Sequence, residues 1–160
     1  MIRAAVLTIS DSAAAGRRVD ASGPAVIECL ERRGWNIAIA EVLPDEPDWI
    51  TDRLRELAHS GQVSAIFTTG GTGISERDVT PEATRAVLDR EIPGLAERMR
   101  AEGSRHTPLA ALSRAVAGVA GRALIVNLPG SPRGAVQSLD AIVELVPHIL
   151  ELLAGKTNHG

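Results

Sequence analysis

The chain has 160 residues, 44% of them hydrophobic, which is enough for one domain with a sizeable core. With 17 Lys and Arg against 20 Asp and Glu, a formal net charge of -3 and only 2% aromatic residues, it has neither the basic balance nor the stacking rings of a nucleic-acid binder. The single cysteine, Cys29, excludes an intrachain disulfide and a Cys-rich metal set and fits a reducing cytoplasm. No stretch reaches the roughly 20 apolar residues that span a bilayer, and the apolar opening is too short for a secretion signal.

Residues 4–9 form a continuous apolar run that stops at Ser10-Asp11-Ser12, the pattern of a buried strand opening into a loop. That loop carries Arg17-Arg18 beside Asp20, within reach of an anionic ligand. Pro24 predicts a helix start, with Val26, Ile27 and Leu30 at helical spacing and Gly34 as the stop. A second strand is predicted over 35–43, ending at Pro44-Asp45-Glu46-Pro47. Ile50, Leu54, Leu57 and Ala58 then share one helical face up to Gly61. Residues 64–69 read as a third buried strand, breaking into Gly70-Gly71-Thr72-Gly73. Thr80 before Pro81 predicts an N-cap and a helix to about residue 90, and a further helix starts at Pro93 with Leu95 and Met99 inward.

Residues 113–119 and 123–128 read as two strands joined by Gly121-Arg122, an antiparallel hairpin. Pro129-Gly130-Ser131-Pro132 ends the second. The closing helix carries Val136, Leu139, Val143, Val146, Leu150 and Leu153 on one stripe. Pro147 kinks or restarts it, and fraying is expected after Gly155. Strands alternating with helices predict an α/β domain with a largely parallel sheet covered on both faces. No repeat or linker interrupts residues 1–160.

In such a sheet, ligands gather at the carboxyl ends of the strands. There the sequence places Ser10, Asp11 and Ser12, then Asp45 and Glu46, then the glycine turn and Asp78, then Asn127, Pro129, Gly130 and Ser131. Gly70-Gly71-Thr72-Gly73 is either an anion nest or a tight strand-to-helix turn. It is neither a P-loop nor a dinucleotide fingerprint, since no Gly-Lys-Ser/Thr follows and Glu76 stands where a third glycine would be. As an anion nest, the turn makes Gly71→Val impair ligand binding more than folding. Ser131 is a helix cap, an anion site or both. Asp11, Asp45 and Asp78 either cap turns or face a phosphate site with a hard cation such as Mg²⁺. His59, His106, His148 and His159 read as surface residues, Arg32-Arg33 as a solvated helix end, and Cys29 as a core thiol.

Three segments together resemble one family: residues 7–12 with 20–24, the run TTGGTGISERDVTPEAT over 68–84, and SRAVAGVAGRALIVNLPGSP over 113–132. The resemblance is to the molybdopterin adenylyltransferases, their B-type molybdenum-cofactor relatives and the G domain of gephyrin, and it spans about residues 4–150. It implies a three-layer α/β/α sandwich with a mostly parallel mixed sheet, assembled as a homotrimer in the cytoplasm. It also implies a reaction in which AMP passes from MgATP to the terminal phosphate of molybdopterin. Asp45 and Asp78 match the two carboxylates that serve catalysis and hold the metal. Ser10, Asp11, Gly70, Gly71, Thr72, Gly73, Ser113, Pro129, Gly130 and Ser131 match the ligand-cradling positions. A non-catalytic B-type pterin-binding module, a trimeric scaffold and a pyrophosphate-bond hydrolase are the alternative outcomes on the same fold, and a molybdenum-insertion protein is the partner implied. The attacking phosphate is ionised at neutral pH, so the reaction asks for no protein nucleophile or general base.

Overall fold

The first strand, β1 (Arg3–Ile9), is buried from Ala4 to Ile9. A strand apolar on both faces needs a covering layer on each. Ala4 and Val6 point into one cluster and Ala5, Leu7 and Ile9 into the other. A computed structural model describes residues 1–156 and supplies both layers. In chain order the elements are β1, α1 (Asp11–Ala14), α2 (Ser22–Arg32), β2 (Asn36–Leu43), α3 (Pro47–His59), β3 (Ala65–Thr69), α4 (Thr80–Arg85), β4 (Arg90–Glu91), α5 (Pro93–Ser104), a 3-10 turn (Pro108–Leu112), β5 (Ala117–Ala120), β6 (Ala123–Leu128), α6 (Pro132–Ile142), a second 3-10 turn (Val143–Leu145) and α7 (Val146–Leu153).

The six strands form one sheet in the order β2-β1-β3-β6-β5-β4. β2, β1, β3 and β6 run parallel, whereas β5 is antiparallel to both β6 and β4. On one face α2, α5, α6 and α7 bury Val26, Leu30, Leu95, Met99, Leu139, Ile142 and Val146 against the sheet. On the other face α3 and α4 bury Ile50, Leu54, Leu57 and Ala83. This is the expected three-layer α/β/α sandwich with a mostly parallel mixed sheet. Among the described residues, no helix is long and apolar enough to cross a membrane.

Three local expectations are corrected. The helix predicted from Thr80 to about residue 90 stops at Arg85, and Arg90–Glu91 instead pairs with Val119 and Gly118 as β4. Backbone bonds from Asp89 N to Val119 O and from Ile92 N to Ala117 O hold that segment on the sheet edge. Thr80 is not the cap: Val79 holds that position, and the Thr80 hydroxyl has no hydrogen-bond partner among the described residues. The strand predicted from residue 113 begins only at Ala117, because Arg114 N is drawn to Thr72 O and Val116 N to the side chain of Asn127.

Other expectations hold. Pro147 lies in the first turn of α7, so the closing helix restarts there. His59, His106 and His148 are exposed, and Cys29 is half-buried against the core. Arg32 pairs with Glu28 on an exposed helix end. The fraying expected after Gly155 and the placement of His159 fall mostly or wholly outside the described residues.

Asn127 is the polar keystone beneath the site. It is fully buried, its Nδ2 donates to Thr68 Oγ1 (3.0 Å) and Thr84 Oγ1 (2.9 Å), and its Oδ1 accepts from Val116 N (3.2 Å). Asn127→Ala leaves Val116 N and Thr68 Oγ1 without these bonds and Thr84 Oγ1 with only its bond to Thr80 O, and should destabilise the fold by about 2–4 kcal/mol. Urea denaturation measures this; an unchanged midpoint would show that the network does not hold α4 to the sheet.

Candidate active site

Four strand ends lie in one row. Ile9 pairs with Leu43, Thr8 with Thr69, and Thr69 with Leu128, so the loops leaving β1, β2, β3 and β6 start side by side. The chain also changes direction here, since β2 lies on one side of β1 and β3 on the other. Such a switch opens the crevice in which α/β sheets bind ligands.

The β1 and β2 loops hold each other. Asp11 N donates to Asp45 Oδ2 and Asp45 N donates to Asp11 Oδ1, both at 2.9 Å. Arg77, in the loop after β3, closes the pair. Its Nε and Nη2 reach the Asp11 carboxylate at 3.0 Å, and Nη2 also reaches Glu46 at 2.9 Å. Ser10 caps α1 through Ala13 N.

The turn after β3 takes positive φ at Gly70 (97°) and Gly71 (69°), a conformation that favours glycine. A Cβ at Gly70 would stand 2.3 Å from the carbonyl oxygen of Ile9. One at Gly71 would stand 2.2 Å from Thr80 Oγ1 and 3.0 Å from Asp45 Oδ1. A valine at Gly71 therefore strains the fold itself, which corrects the expectation that it would act mainly on binding. Beyond the turn, Asp78 Oδ2 accepts from Ser75 N at 2.9 Å. Arg114 then staples the loop at both ends: its Nε donates to Gly73 O and its Nη2 to Asp78 O, each at 2.7 Å, while Nη1 meets Glu82.

Two cavities flank this turn. The larger, about 450 Å³, combines Gly71, Thr72, Gly73, Asp78, Ser113, Pro129, Gly130 and Ser131 with Met99, Arg100, Leu109 and Leu112. The smaller, about 370 Å³, holds Ser10, Asp45, Gly70, Gly71, Asp78, Gly130 and Ser131, together with Arg18 and Asp20. Gly71, Asp78, Gly130 and Ser131 face both and form a common wall. Ser131 also caps α6 through Gly134 N at 3.0 Å. Asp11 lines neither cavity; its carboxylate is committed to Arg77 and Asp45 N. Asp20 accepts from Gly23 N in the first turn of α2 and from Thr8 Oγ1.

Residues 5–148 match the family described as "Probable molybdopterin binding domain". The chain belongs to the molybdopterin-binding domain family. It is 38% identical over 156 residues to the molybdopterin adenylyltransferase of Helicobacter pylori (strain ATCC 700392 / 26695), covering 96% of this chain and 89% of that one. It is 41% identical over 149 residues to the molybdenum cofactor synthesis protein cinnamon of Drosophila melanogaster, covering 92% of this chain but 25% of that protein. A crystal structure of the molybdopterin biosynthesis enzyme MoaB from Thermus thermophilus superposes with a TM-score of 0.91 at 52% identity, covering 98% of each chain.

In this molybdopterin-binding domain the carboxylates are electrostatically unequal. The hydrogen bonds from Arg77 and from the Asp45 backbone hold the Asp11 carboxyl below its ordinary range. Burial pushes Asp45 up, and repulsion from Asp11 and Asp78 adds to this against the opposing Asp11 backbone bond. Sequence reasoning missed Arg77 and Arg114. Both sit inside the matching segments, but an arginine's partners lie 31 to 66 residues away, which no local pattern reveals.

The two shifts act oppositely on stability. Asp11 stabilises the fold above the ordinary carboxylate range, and that contribution is lost as pH falls through its lowered value. Asp45 favours the fold when protonated, and that contribution is lost as pH rises through its raised value. Asp45→Asn keeps an acceptor for Asp11 N and removes the charge. Its thermal midpoint at neutral pH should equal or exceed that of the parent, with the gain shrinking as pH falls into the carboxylate range. A midpoint clearly below the parent at neutral pH would show that the Asp45 charge is structurally required.

Proposed function

We propose that the protein is a molybdopterin adenylyltransferase that joins AMP from MgATP to the terminal phosphate of molybdopterin, acting as a single domain over residues 1–160. The observation that carries this reading is the pair of cavities with a common wall at Gly71, Asp78, Gly130 and Ser131. Joining two substrates end to end calls for two adjoining sites whose shared boundary meets both reacting phosphates. The larger cavity, with Met99, Leu109 and Leu112, suits a planar heterocycle. The smaller, with Arg18, Ser10 and Asp45, suits a phosphate chain. The H. pylori relative's name points the same way.

Among the described residues no group of three or more His, Cys, Asp or Glu side chains could hold a metal ion. Magnesium fits nonetheless, because it is commonly bound by one or two carboxylates together with substrate phosphates and water. Asp45 and Asp78 would hold it, and when bound it offsets the repulsion between two polyanions. The backbone of the turn over Gly70, Gly71, Thr72 and Gly73, and that of Pro129, Gly130 and Ser131 heading α6, would hold phosphates. Ser10 and Ser113 add hydroxyls at the far walls, and Asp11 acts by holding Asp45 in place. The pterin phosphate oxygen then bonds to the α-phosphorus of ATP as the bond to pyrophosphate breaks. The attacking oxygen is already ionised, so no residue need take a proton.

The test is purified protein with ATP, Mg²⁺ and molybdopterin, scored for adenylylated pterin and pyrophosphate. Pterin binding without product would instead make the protein a B-type binding module, and no ligand binding at all a scaffold. AMP release without an adduct would make it a pyrophosphate-bond hydrolase. Asp78→Asn keeps an acceptor for Ser75 N, so the fold should stand, while adenylylation falls by about 10²–10³-fold, as when a single electrostatic stabiliser is lost. Pterin affinity without ATP should hardly change, and an undiminished rate would make Asp78 a turn residue only. We further propose a cytoplasmic homotrimer that passes its product to a molybdenum-insertion protein. Sedimentation at micromolar concentration should give the trimer mass, and a persistent monomer would remove the oligomeric part.

A further inference from the structure

Thr80 opens α4 fully buried, and its Oγ1 is the only buried side-chain polar atom without a hydrogen-bond partner among the described residues. The polar chain behind it is complete. Asn127 Nδ2 donates to Thr68 Oγ1 and Thr84 Oγ1, and Thr84 Oγ1 donates to Thr80 O at 2.7 Å. Only the last hydroxyl, the one nearest the glycine turn, is left unpaired. A buried hydroxyl without a partner costs stability, and a valine of similar shape would avoid that cost.

The surroundings of this hydroxyl point to its use. Thr80 N donates to Gly71 O at 3.1 Å, which fixes the head of α4 to the turn. A Cβ on Gly71 would lie 2.2 Å from Thr80 Oγ1 and 3.0 Å from Asp45 Oδ1, so the hydroxyl and the carboxylate oxygen flank the same Cα. The other oxygen of Asp45, Oδ2, is already held by Asp11 N. Thr80 lines neither cavity, so its hydroxyl does not face a substrate there.

We propose that Thr80 is a positioning residue for Asp45: when a ligand phosphate draws the Gly71 turn, the Thr80 hydroxyl donates to Asp45 Oδ1 and fixes the carboxylate for the reaction. This rests on the adenylyltransferase reading. Loading the site then provides the missing partner, so the stability lost in the free protein is recovered when ligand is bound. Glycine at 71 is what leaves room for the two oxygens to approach.

The experiment compares the parent, Thr80→Val and Thr80→Ser in thermal midpoint without ligand, in the midpoint rise given by ATP with Mg²⁺, and in adenylylation. Thr80→Val should unfold at the parent midpoint or above, gain less from ATP with Mg²⁺, and lose about tenfold in kcat with KM little changed, the pattern of an interaction that matters in the transition state. Thr80→Ser should restore both the midpoint rise and kcat. A Thr80→Val protein with the parent's kcat and midpoint rise overturns the proposal. So does one whose midpoint and activity fall together and are not restored by serine, since that is a packing role. If the parent forms no adduct, the adenylyltransferase reading fails. The midpoint rise still decides Thr80, equal rises in parent and Thr80→Val overturning its role.

Discussion

Asp11 and Asp45 each accept the other's backbone N–H, and the geometry of the site depends on that exchange. It joins the loops after β1 and β2 at a fixed distance, and Arg77 brings the loop after β3 to the same point by binding Asp11 and Glu46. The cost falls unevenly. Asp11 has a cation beside it, while Asp45 is more buried and faces Asp11 and Asp78 as like charges. Crowding carboxylates in this way disfavours the free protein. For Asp45, which has no cation of its own, the balance improves when something positive, or something that hydrogen-bonds to its carboxylate, arrives, and an unfavourable charge of this kind is typical of a binding site.

The rest of the crevice is built from the absence of side chains. Positive φ at Gly70 and Gly71 lets the turn pass within contact of Ile9, Thr80 and Asp45, so the cavities on either side are separated by little more than backbone. Arg114 makes that thin wall rigid by bonding the carbonyls of Gly73 and Asp78. Below it, Asn127 links β6, β3 and α4 in the core. The unpaired Thr80 hydroxyl lies where this stiff base meets the strained upper edge.

Much of this was legible from sequence because it depends on local patterns. The apolar runs of β1, β3 and β6, the helical stripes of α2 and α3, and the prolines and glycines at their ends marked the layers and brought the polar strand ends to one edge. What escaped depends on distant partners. The predicted helix runs on to about residue 90, but the chain from Asp89 to Ile92 is captured by the edge of β5. Residues 113–116 carry a strand pattern but are pulled away by Thr72 and Asn127. Asp11, which resembles a ligand residue, holds Asp45 and Arg77 instead. Thr80 before a proline looks like a cap, and only the packing around Gly71 reveals a buried hydroxyl with nothing to bond.

In the proposed reaction the two substrates meet at the wall formed by Gly71, Asp78, Gly130 and Ser131. The most direct measurement is a crystal structure with molybdopterin, a non-hydrolysable ATP analogue and Mn²⁺ in place of Mg²⁺, using anomalous scattering to locate the metal. The expected result is one substrate in each cavity, the pterin phosphate and the α-phosphate facing each other across that wall, and an anomalous peak bound by Asp45 and Asp78. Both ligands competing for a single cavity, or a metal bound away from these carboxylates, would contradict it.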